Sequence, residues 1–188
     1  SPIGGTSQIG DDASDAIAVD TSGNVFFTRA SGGYVKKISP SGETTTLSST
    51  QGSRAIAVDL DGNVYIPNST NSITKITPSG VTTSYGTTGS NVQGIVVDSA
   101  GNVYTANAAD SNVSKITPSG VSTILGTTGS NPYGIVVDEE GSVFVTNAYS
   151  NSVSKITQGG VSTVFASGLS QPRGLTIDNA GYLYTANY

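Results

Sequence analysis

One short segment recurs along the chain at a nearly constant interval, and this repeat constrains the fold more than any other feature. Each copy has a small residue, three residues that are mostly apolar, and an aspartate. The five copies are AIAVD, AIAVD, GIVVD, GIVVD and GLTID, and they end at Asp20, Asp59, Asp98, Asp138 and Asp178. A repeat of about 40 residues is one supersecondary unit that buries its apolar faces against its neighbours.

Each unit carries signals for four short strands. The aspartate is followed by a glycine-containing turn and a second apolar strand, as in Gly101-Asn102-Val103-Tyr104. A Lys-Ile pair marks the third strand at 115–116, and a Pro-Ser-Gly turn at 118–120 leads into a fourth strand rich in Ser and Thr. Gly-Asn between β-branched runs favours a hairpin. We therefore predict an all-β fold, a β-propeller, because radial stacking of four-stranded blades protects the strand edges.

The repeat also predicts how the blades are bounded within one domain, residues 1–188. The complete blades are predicted at 16–54, 55–93, 94–133 and 134–173. Residues 174–188 supply only the first two strands of a fifth blade, and residues 1–15 align with the end of a unit. We predict a five-bladed ring whose last blade is completed by the N-terminal segment or by a neighbouring chain. A piece of a longer propeller is the third alternative.

The repeat resembles a known family pattern from about residue 15 to the end of the chain. Its elements hydrophobic-x-Val-Asp, x-x-Gly-Asn-Val-Tyr-x-x-Asn and x-Val-x-Lys-Ile resemble the NHL repeat, and they are similar to virginiamycin B lyase-like and gluconolactonase-like propellers. The resemblance implies the fold and leaves the function open, because one fold hosts unrelated activities. It implies an active-site histidine for the first group and a channel cation with carboxylate and Asn ligands for the second.

The residue types that are absent narrow the chemistry. The sequence contains no histidine and no cysteine, which closes Ser–His and Cys–His catalysis and ordinary zinc sites. The lyase activity is therefore not carried over from the resemblance, and we predict that the protein is not an enzyme. We predict no cofactor, with Ca²⁺ kept as an alternative for which Asp110 is the only carboxylate near the expected channel mouth.

The charge of the chain bears on its partners. It has 13 Asp and Glu against 8 Lys and Arg, for a net charge of −5. No continuous cationic surface can neutralise phosphates, so nucleic acid is not an expected partner. No apolar run is long enough to span a bilayer, so membrane insertion is not expected.

Two ladders of polar residues are interpreted as parts of the scaffold. An aspartate placed before a turn accepts hydrogen bonds from the N–H groups of that turn, so the closing aspartates are predicted to be structural caps. The second ladder is formed by lysines in the third strand, namely Lys37, Lys75, Lys115 and Lys155. We expect these lysines to pack their aliphatic stems between blades or to pair with a neighbouring Asp.

A further ladder follows the second strand and is the predicted binding site. Its members are Arg29, Asn68, Asn107, Asn147 and Asn187, and the loops that follow them differ between copies and contain Asp110 and Tyr149. Variation on one face of a repeat is typical of a binding surface. We predict that these side chains bind a polar ligand at one rim, with the alternative that each Asn satisfies its own loop backbone.

These observations predict a non-catalytic scaffold for binding or adhesion that presents a polar loop face to a protein or carbohydrate ligand. Low charge with abundant Ser, Thr, Gly and Asn favours an extracellular or cell-surface location, and a start at Ser1 without Met suggests a mature product. Two alternatives stay open. One is a structural protomer of a homo-oligomer or filament that self-associates through its incomplete blade, and the other is a cation-dependent lactonase or hydrolase-like enzyme.

Overall fold

Each unit of the repeat folds into a small antiparallel sheet. The computed structural model describes residues 15–29, 33–49 and 53–188, and within these ranges it contains strands and no helix. The first blade holds β1 (Ala16–Val19), β2 (Val25–Arg29), β3 (Tyr34–Ile38) and β4 (Thr44–Ser48). The second holds β5 (Ala57–Val58), β6 (Val64–Pro67), β7 (Ser72–Ile76) and β8 (Thr82–Thr87).

The next blades repeat this plan. The third blade holds β9 (Val92–Val97), β10 (Val103–Asn107), β11 (Asn112–Ile116) and β12 (Ser122–Thr127). The fourth holds β13 (Pro132–Val137), β14 (Val143–Asn147), β15 (Ser152–Ile156) and β16 (Ser162–Ser167), and the fifth holds β17 (Gly174–Ile177) and β18 (Leu183–Ala186). Strands follow one another across each sheet in sequence order, so every blade is a meander. The predictions of an all-β propeller fold and of four-stranded blades are confirmed.

The fifth blade differs from the others. Among the described residues, β17 pairs with β18 and the sheet has no third strand. The N-terminal segment 1–15 was predicted to complete this blade, and its residues 1–14 lie outside the described residues. The completion of the blade, the blade boundaries and the number of blades in the ring therefore stay predictions.

The hydrophobic core lies between neighbouring blades. One cluster joins Tyr65 and Ile73 of the second blade to Val103 and Ile116 of the third. Equivalent clusters join the first blade to the second and the third to the fourth. In blades two to four the second strand is buried on both faces, and a strand buried on both sides shows little alternation of apolar and polar residues.

The two end blades each expose an apolar face that the inner blades cover. Ile17 is 58% exposed, whereas its repeat equivalents Ile56, Ile95 and Ile135 are buried. Tyr184 in the fifth blade is 54% exposed, although the equivalent Tyr104 is 1% exposed. Among the described residues these faces have no neighbouring blade, so the alternative of self-association stays a prediction.

The aspartate ladder holds the turn between the first and second strands, as the sequence predicts. In the third blade one carboxylate oxygen of Asp98 accepts the N–H groups of Ala100 (3.0 Å) and Asn102 (2.8 Å). The other oxygen accepts the side-chain amide of Asn102 at 2.8 Å and the hydroxyl of Tyr104 at 3.0 Å. Gly101 takes a positive φ of 81° in this turn, which glycine adopts without strain. Burial and the bond to Asp98 raise the pKa of Tyr104, so its phenol stays a donor.

The lysine ladder stabilises the same part of each blade through aromatic rings. Lys115 lies opposite Tyr104 in the sheet, and its Nζ is 5.5 Å from the centroid of that ring. Lys37, Lys75 and Lys155 lie over Phe26, Tyr65 and Phe144 in the same way. The lysines thus make cation–π contacts. The sequence had led us to expect aliphatic stems packed between blades or pairing with a neighbouring Asp.

Candidate functional site

The antiparallel pairing sorts the loops of the propeller onto two rims. The aspartate-capped turns lie on one of them, which we call the turn rim. The start of each first strand and the end of each second strand meet at the other, where Val92 pairs with Asn107 and Pro132 pairs with Asn147. We call this second edge the mouth rim, and all the residues predicted to bind ligand lie along it.

The central asparagine of the predicted site lies inside its blade. Asn107 is fully buried, and its Nδ2 donates to Asn112 Oδ1 at 2.7 Å and to Ser114 Oγ at 2.9 Å. Its Oδ1 accepts the hydroxyl of Thr105 at 2.9 Å. The amide therefore joins the second strand to the third. Its partners are side chains, whereas the alternative drawn from the sequence expected the backbone of its own loop.

The neighbouring amides also donate to side chains of the third strand, but their Oδ1 atoms differ. That of Asn68 accepts backbone N–H groups of its own loop, as the alternative interpretation of the sequence predicted. Asn147 is fully buried and donates to Ser152 Oγ and Ser154 Oγ, but its Oδ1 has no hydrogen-bond partner. Asn68 donates to Ser72 Oγ at 2.8 Å and accepts the N–H of Thr70 at 3.0 Å. The structure thus places these amides in contacts within their own blades, and their role in ligand binding stays a prediction.

The remaining residues of the predicted site are more open. Asp110 is exposed, its Oδ2 accepts the N–H of Ser90 at 2.5 Å, and its own N–H donates to the carbonyl of Asn107. Tyr149 is 73% exposed. Asn187 is exposed and accepts the hydroxyl of Thr185, and Arg29 is half-buried at the end of β2. Two members of the predicted set, Asn107 and Asp110, are joined by a backbone hydrogen bond within one loop.

A cavity that the sequence analysis did not predict lies where the first strands converge. Its volume is about 260 Å³, and all five blades contribute the same repeat position to it. These positions are the small residues Ala16, Ala55, Gly94, Gly134 and Gly174. In four blades the preceding residue also lines the cavity, namely Arg54, Gln93, Tyr133 and Arg173. We call these four side chains and the ring of small residues the channel mouth.

Small residues are required in this ring because the first strands pass very close to each other. A Cβ atom on Gly94 would overlap the carbonyl oxygen of Tyr133, and one on Gly134 would overlap that of Arg173. A backbone neighbour cannot move aside as the end of a side chain can. The polar side chains that line the cavity therefore come from the position before the small residue.

The channel mouth carries two positive charges in an acidic protein. Of the described residues that line it, two are arginines and none is Asp or Glu. The guanidinium of Arg173 lies 4.9 Å from the ring centroid of Tyr188 and 5.5 Å from that of Tyr133. Ile56, Ile95, Ile135 and Leu175 form the apolar part of the lining. This arrangement can hold a polar or negatively charged group above an apolar surface.

A signal for the channel mouth was present in the sequence. The position before the small residue holds Asp15, Arg54, Gln93, Tyr133 and Arg173, so it changes in every copy except for one recurrence of Arg. It stands directly beside the most constant segment of the repeat. A variable polar position next to an invariant one is where a repeat protein displays side chains to a ligand.

The described residues offer little to a metal ion or a bilayer. No group of three or more Asp, Glu, His or Cys in that part of the chain is placed to hold a metal, and the Ca²⁺ alternative stays a prediction. In the same ranges there is no helix long and apolar enough to cross a membrane.

Antiparallel blades arranged around a channel define a β-propeller with a ligand-sized mouth at one rim. The sequence model of the virginiamycin B lyase family matches residues 8–188, and the chain belongs to this family. The resemblance found in the sequence is thereby confirmed. No curated relative matches the sequence.

Solved structures share the fold at low identity. Virginiamycin B lyase from Staphylococcus aureus is 19% identical, with a TM-score of 0.78 over 91% of this chain and 62% of its own. The same lyase with quinupristin, in a variant with one histidine replaced by alanine that is named catalytically inactive, gives 20% identity and a TM-score of 0.79 over 92% of this chain and 62% of its own. A chain of a nidogen/laminin complex gives 23% and 0.79 over 92% of this chain and 71% of its own.

The family corrects one prediction. The protein was predicted not to be an enzyme because it has no histidine and no cysteine, and its membership of a lyase family contradicts this. Tyr, Arg and carboxylates, which this chain contains, can also transfer protons or stabilise charge. The chain spans 62% of the length of the two Staphylococcus aureus lyase structures.

Proposed function

We propose that the protein binds a polar ligand at the channel mouth, with Arg54, Gln93, Tyr133 and Arg173 as the contacting residues. One observation carries this proposal: five blades present a small residue, Ala or Gly, to one cavity, and the position before it supplies four polar side chains of three types. A cavity of about 260 Å³ approaches the size of small-molecule sites, which begin at roughly 300 Å³. The expected ligands are a carbohydrate or a segment of protein outside the cell.

The loops around the mouth support a preformed site. Ser130 donates its N–H to Ser150 Oγ at 2.7 Å, as Ser90 does to Asp110. The carbonyl of Asn131 accepts the N–H of Ala148 at 3.0 Å. Each inner loop is thus tied to the loop after the second strand of its own blade, which limits the entropy lost on binding.

A ligand screen followed by amide NMR tests the proposal. Peptides and oligosaccharides are added to the wild-type protein and to the variants Tyr133→Ala and Asp61→Ala, the second being an exposed control on the turn rim. We expect binding to shift the signals of the channel mouth, to weaken about tenfold in Tyr133→Ala and to persist in Asp61→Ala. Ligands whose shifts map only to the turn rim would contradict the proposal.

Family membership favours a second candidate, a lyase reaction on a ligand held at the same mouth. Tyr133 carries the phenol at this site, and the Arg173 guanidinium beside its ring can stabilise negative charge. A lyase breaks a bond by elimination: a base removes a proton, the bond to the leaving group breaks and a double bond forms. No water is added, so the products together have the mass of the substrate.

Mass spectrometry after incubation with quinupristin, the compound found with the inactive lyase variant, distinguishes the chemistry. A lyase gives products whose masses add up to that of the substrate, whereas a hydrolase adds one water. We expect Tyr133→Phe to lose the lyase product while it keeps ligand binding. Equal turnover by Tyr133→Phe would remove Tyr133 from the reaction, and no lyase product from the wild type would reject this candidate.

A further inference from the structure

We propose that the channel mouth recognises the carboxylate of its ligand, held between Arg54 and Arg173, with an apolar body resting on the floor of the cavity. This inference rests on the proposed function, because it names the chemical class of ligand for the same site. Two observations support it. One is where the eight basic residues of the chain lie, and the other is the set of hydrogen bonds that hold the backbone at or next to Arg54 and Arg173.

Most of the basic residues belong to the scaffold. Lys37, Lys75, Lys115 and Lys155 lie over aromatic rings of their own blades, and Lys36 lies over Tyr34. Arg29 ends β2 and has a contact of its own. The other two basic residues, Arg54 and Arg173, both line the channel mouth. The chain has a net charge of −5, so two arginines in one small cavity set it apart from the rest of the surface.

The two arginines occupy the same repeat position, and a buried threonine lies behind each of them. Thr146 donates its hydroxyl to the carbonyl of Arg173 at 3.0 Å and accepts the N–H of Gly134 at 2.8 Å. In the first blade the hydroxyl of Thr28 accepts the N–H of Ser53, the residue before Arg54, at 3.2 Å. Both threonines are fully buried.

The other blades lack this anchor. The repeat equivalents of Thr28 and Thr146 are Pro67 and Ala106, and the blades that follow them present Gln93 and Tyr133. A threonine therefore lies behind each of the two arginines, and behind neither Gln93 nor Tyr133. A buried hydroxyl is retained only where its hydrogen bonds are made, and here those bonds fix the backbone that presents a guanidinium.

The backbone before Arg173 is restrained in addition. Pro172 precedes Arg173, and its ring fixes its own φ. Gln171, before the proline, takes a positive φ of 41° and donates its N–H to Asn151 Oδ1. The rings of Tyr133 and Tyr188 contact the guanidinium. A guanidinium that stacks on a ring keeps its in-plane N–H groups for acceptors, and the acceptor with matching geometry is a carboxylate.

The ligand needs an apolar body because the floor of the cavity is apolar. Ile95, Ile135 and Leu175 line the same cavity as the arginines, and Gln93 and Tyr133 add polar groups to it. A bare inorganic anion would use the guanidinium groups alone. A carboxylate carried on an aliphatic or aromatic group would use both surfaces, as the C-terminus of a peptide does.

The test compares an acid with its neutral amide. N-acetyl-phenylalanine and N-acetyl-phenylalaninamide are titrated by NMR into the wild-type protein, Arg54→Gln, Arg173→Gln and Thr146→Val. Lys115→Gln serves as a control that loses the same charge from the third strand. We expect the wild type to bind the acid at least tenfold tighter than the amide, with the preference weakened by salt. Each Arg variant and Thr146→Val should lose most of that preference, and Lys115→Gln should keep it.

The outcomes separate this inference from the proposed function. Equal binding of acid and amide at the mouth, both weakened by Tyr133→Ala, would overturn the carboxylate while the binding site stands. A preference for the acid that survives both Arg substitutions would also overturn it. Absence of binding by both compounds would overturn the carboxylate class, and the library screen then decides whether the mouth binds any ligand. Amide spectra of each variant show whether the fold is intact.

Discussion

The two rims of the propeller use polar side chains in different ways. At the turn rim, Asp98, Asn102 and Tyr104 bond to one another within a few residues. At the mouth rim, Gln93, Tyr133 and Arg173 come from three blades and face a shared cavity. The turn rim closes each blade on itself, whereas the mouth rim combines residues from several blades. Repetition therefore indicates the scaffold, and variation at a fixed position indicates the site.

The largest difference in stability between variants of the two rims is expected for two tyrosines. Tyr104 is 1% exposed and packs between blades, so Tyr104→Ala should destabilise the protein by about 4 kcal/mol. Tyr133 is half-buried at the channel mouth, and Tyr133→Ala should cost less than about 1 kcal/mol while it weakens ligand binding. Urea unfolding of both variants measures the difference. Equal losses would mean that the mouth residues are structural as well.

The residues of the turn rim that hold each blade together could be predicted from the sequence. Asp98, Gly101 and Asn102 act within one turn, so their roles follow from local chemistry and from the constant spacing of the repeat. The lysines were harder, because Lys115 finds Tyr104 across the sheet and the ring that it contacts is not its neighbour in the chain. The fold as a whole followed from the repeat because every blade obeys the same local rules.

The site was less predictable for a physical reason. The pairing of β9 with β10 shifts register at Ala106–Asn107, and that of β13 with β14 shifts between Pro132 and Ile135. A bulge redirects the side chains next to it. The alternation of a regular strand therefore does not predict the direction of the Gln93 or Tyr133 side chain. The inward turn of Asn107 likewise depends on Ser114, a partner in the next strand.

A second test asks how far the aspartate cap supports the turn rim. Asp98→Ala removes four hydrogen bonds, three of them to Asn102 and Tyr104. We expect a loss of about 2 to 3 kcal/mol, because hydrogen bonds to a charged group are among the stronger ones. The control is Asp61→Ala in the turn of the second blade, where the side chain is exposed, with an expected change under about 0.5 kcal/mol. Similar losses in both would show that charge in the turns, rather than capping, stabilises the blades.

A smaller effect compares two blades at the mouth rim. Asn107 Oδ1 accepts the hydroxyl of Thr105, but the equivalent of Thr105 in the fourth blade is Val145, and Asn147 Oδ1 has no partner. Val145→Thr should supply the missing donor and stabilise the protein by about 1 kcal/mol. The reverse change, Thr105→Val, should destabilise it by a similar amount. Thermal unfolding of both variants measures the pair, and destabilisation by Val145→Thr would show that the cost of burying its hydroxyl outweighs the new bond.

The smallest effect is the pH dependence of the turn rim. Burial tends to raise the pKa of Asp20, but hydrogen bonds from Asn24 and from the N–H of Ser22, with the charge of Lys37, together lower it below its ordinary value of 3.8. At Asp178 the leading cause is the N–H of Tyr182, and the pKa is again lowered. A carboxyl group whose pKa is lower in the folded state stabilises the fold above its unfolded pKa, and this stabilisation is lost as the pH falls through the folded value.

Carboxyl-carbon NMR between pH 6 and pH 2 follows this titration directly. We expect the midpoints of Asp20 and Asp178 to lie below 3.8, the ordinary value for both. Asn24→Ala removes the side-chain amide that contacts Asp20, so the midpoint of Asp20 should rise toward that value while Asp178, in another blade, titrates as before. A midpoint for Asp20 at or above 3.8 in the wild type would mean that burial outweighs the cap. The backbone hydrogen bonds of the turn would then stabilise the turn rim, and the carboxylate would contribute little to its stability.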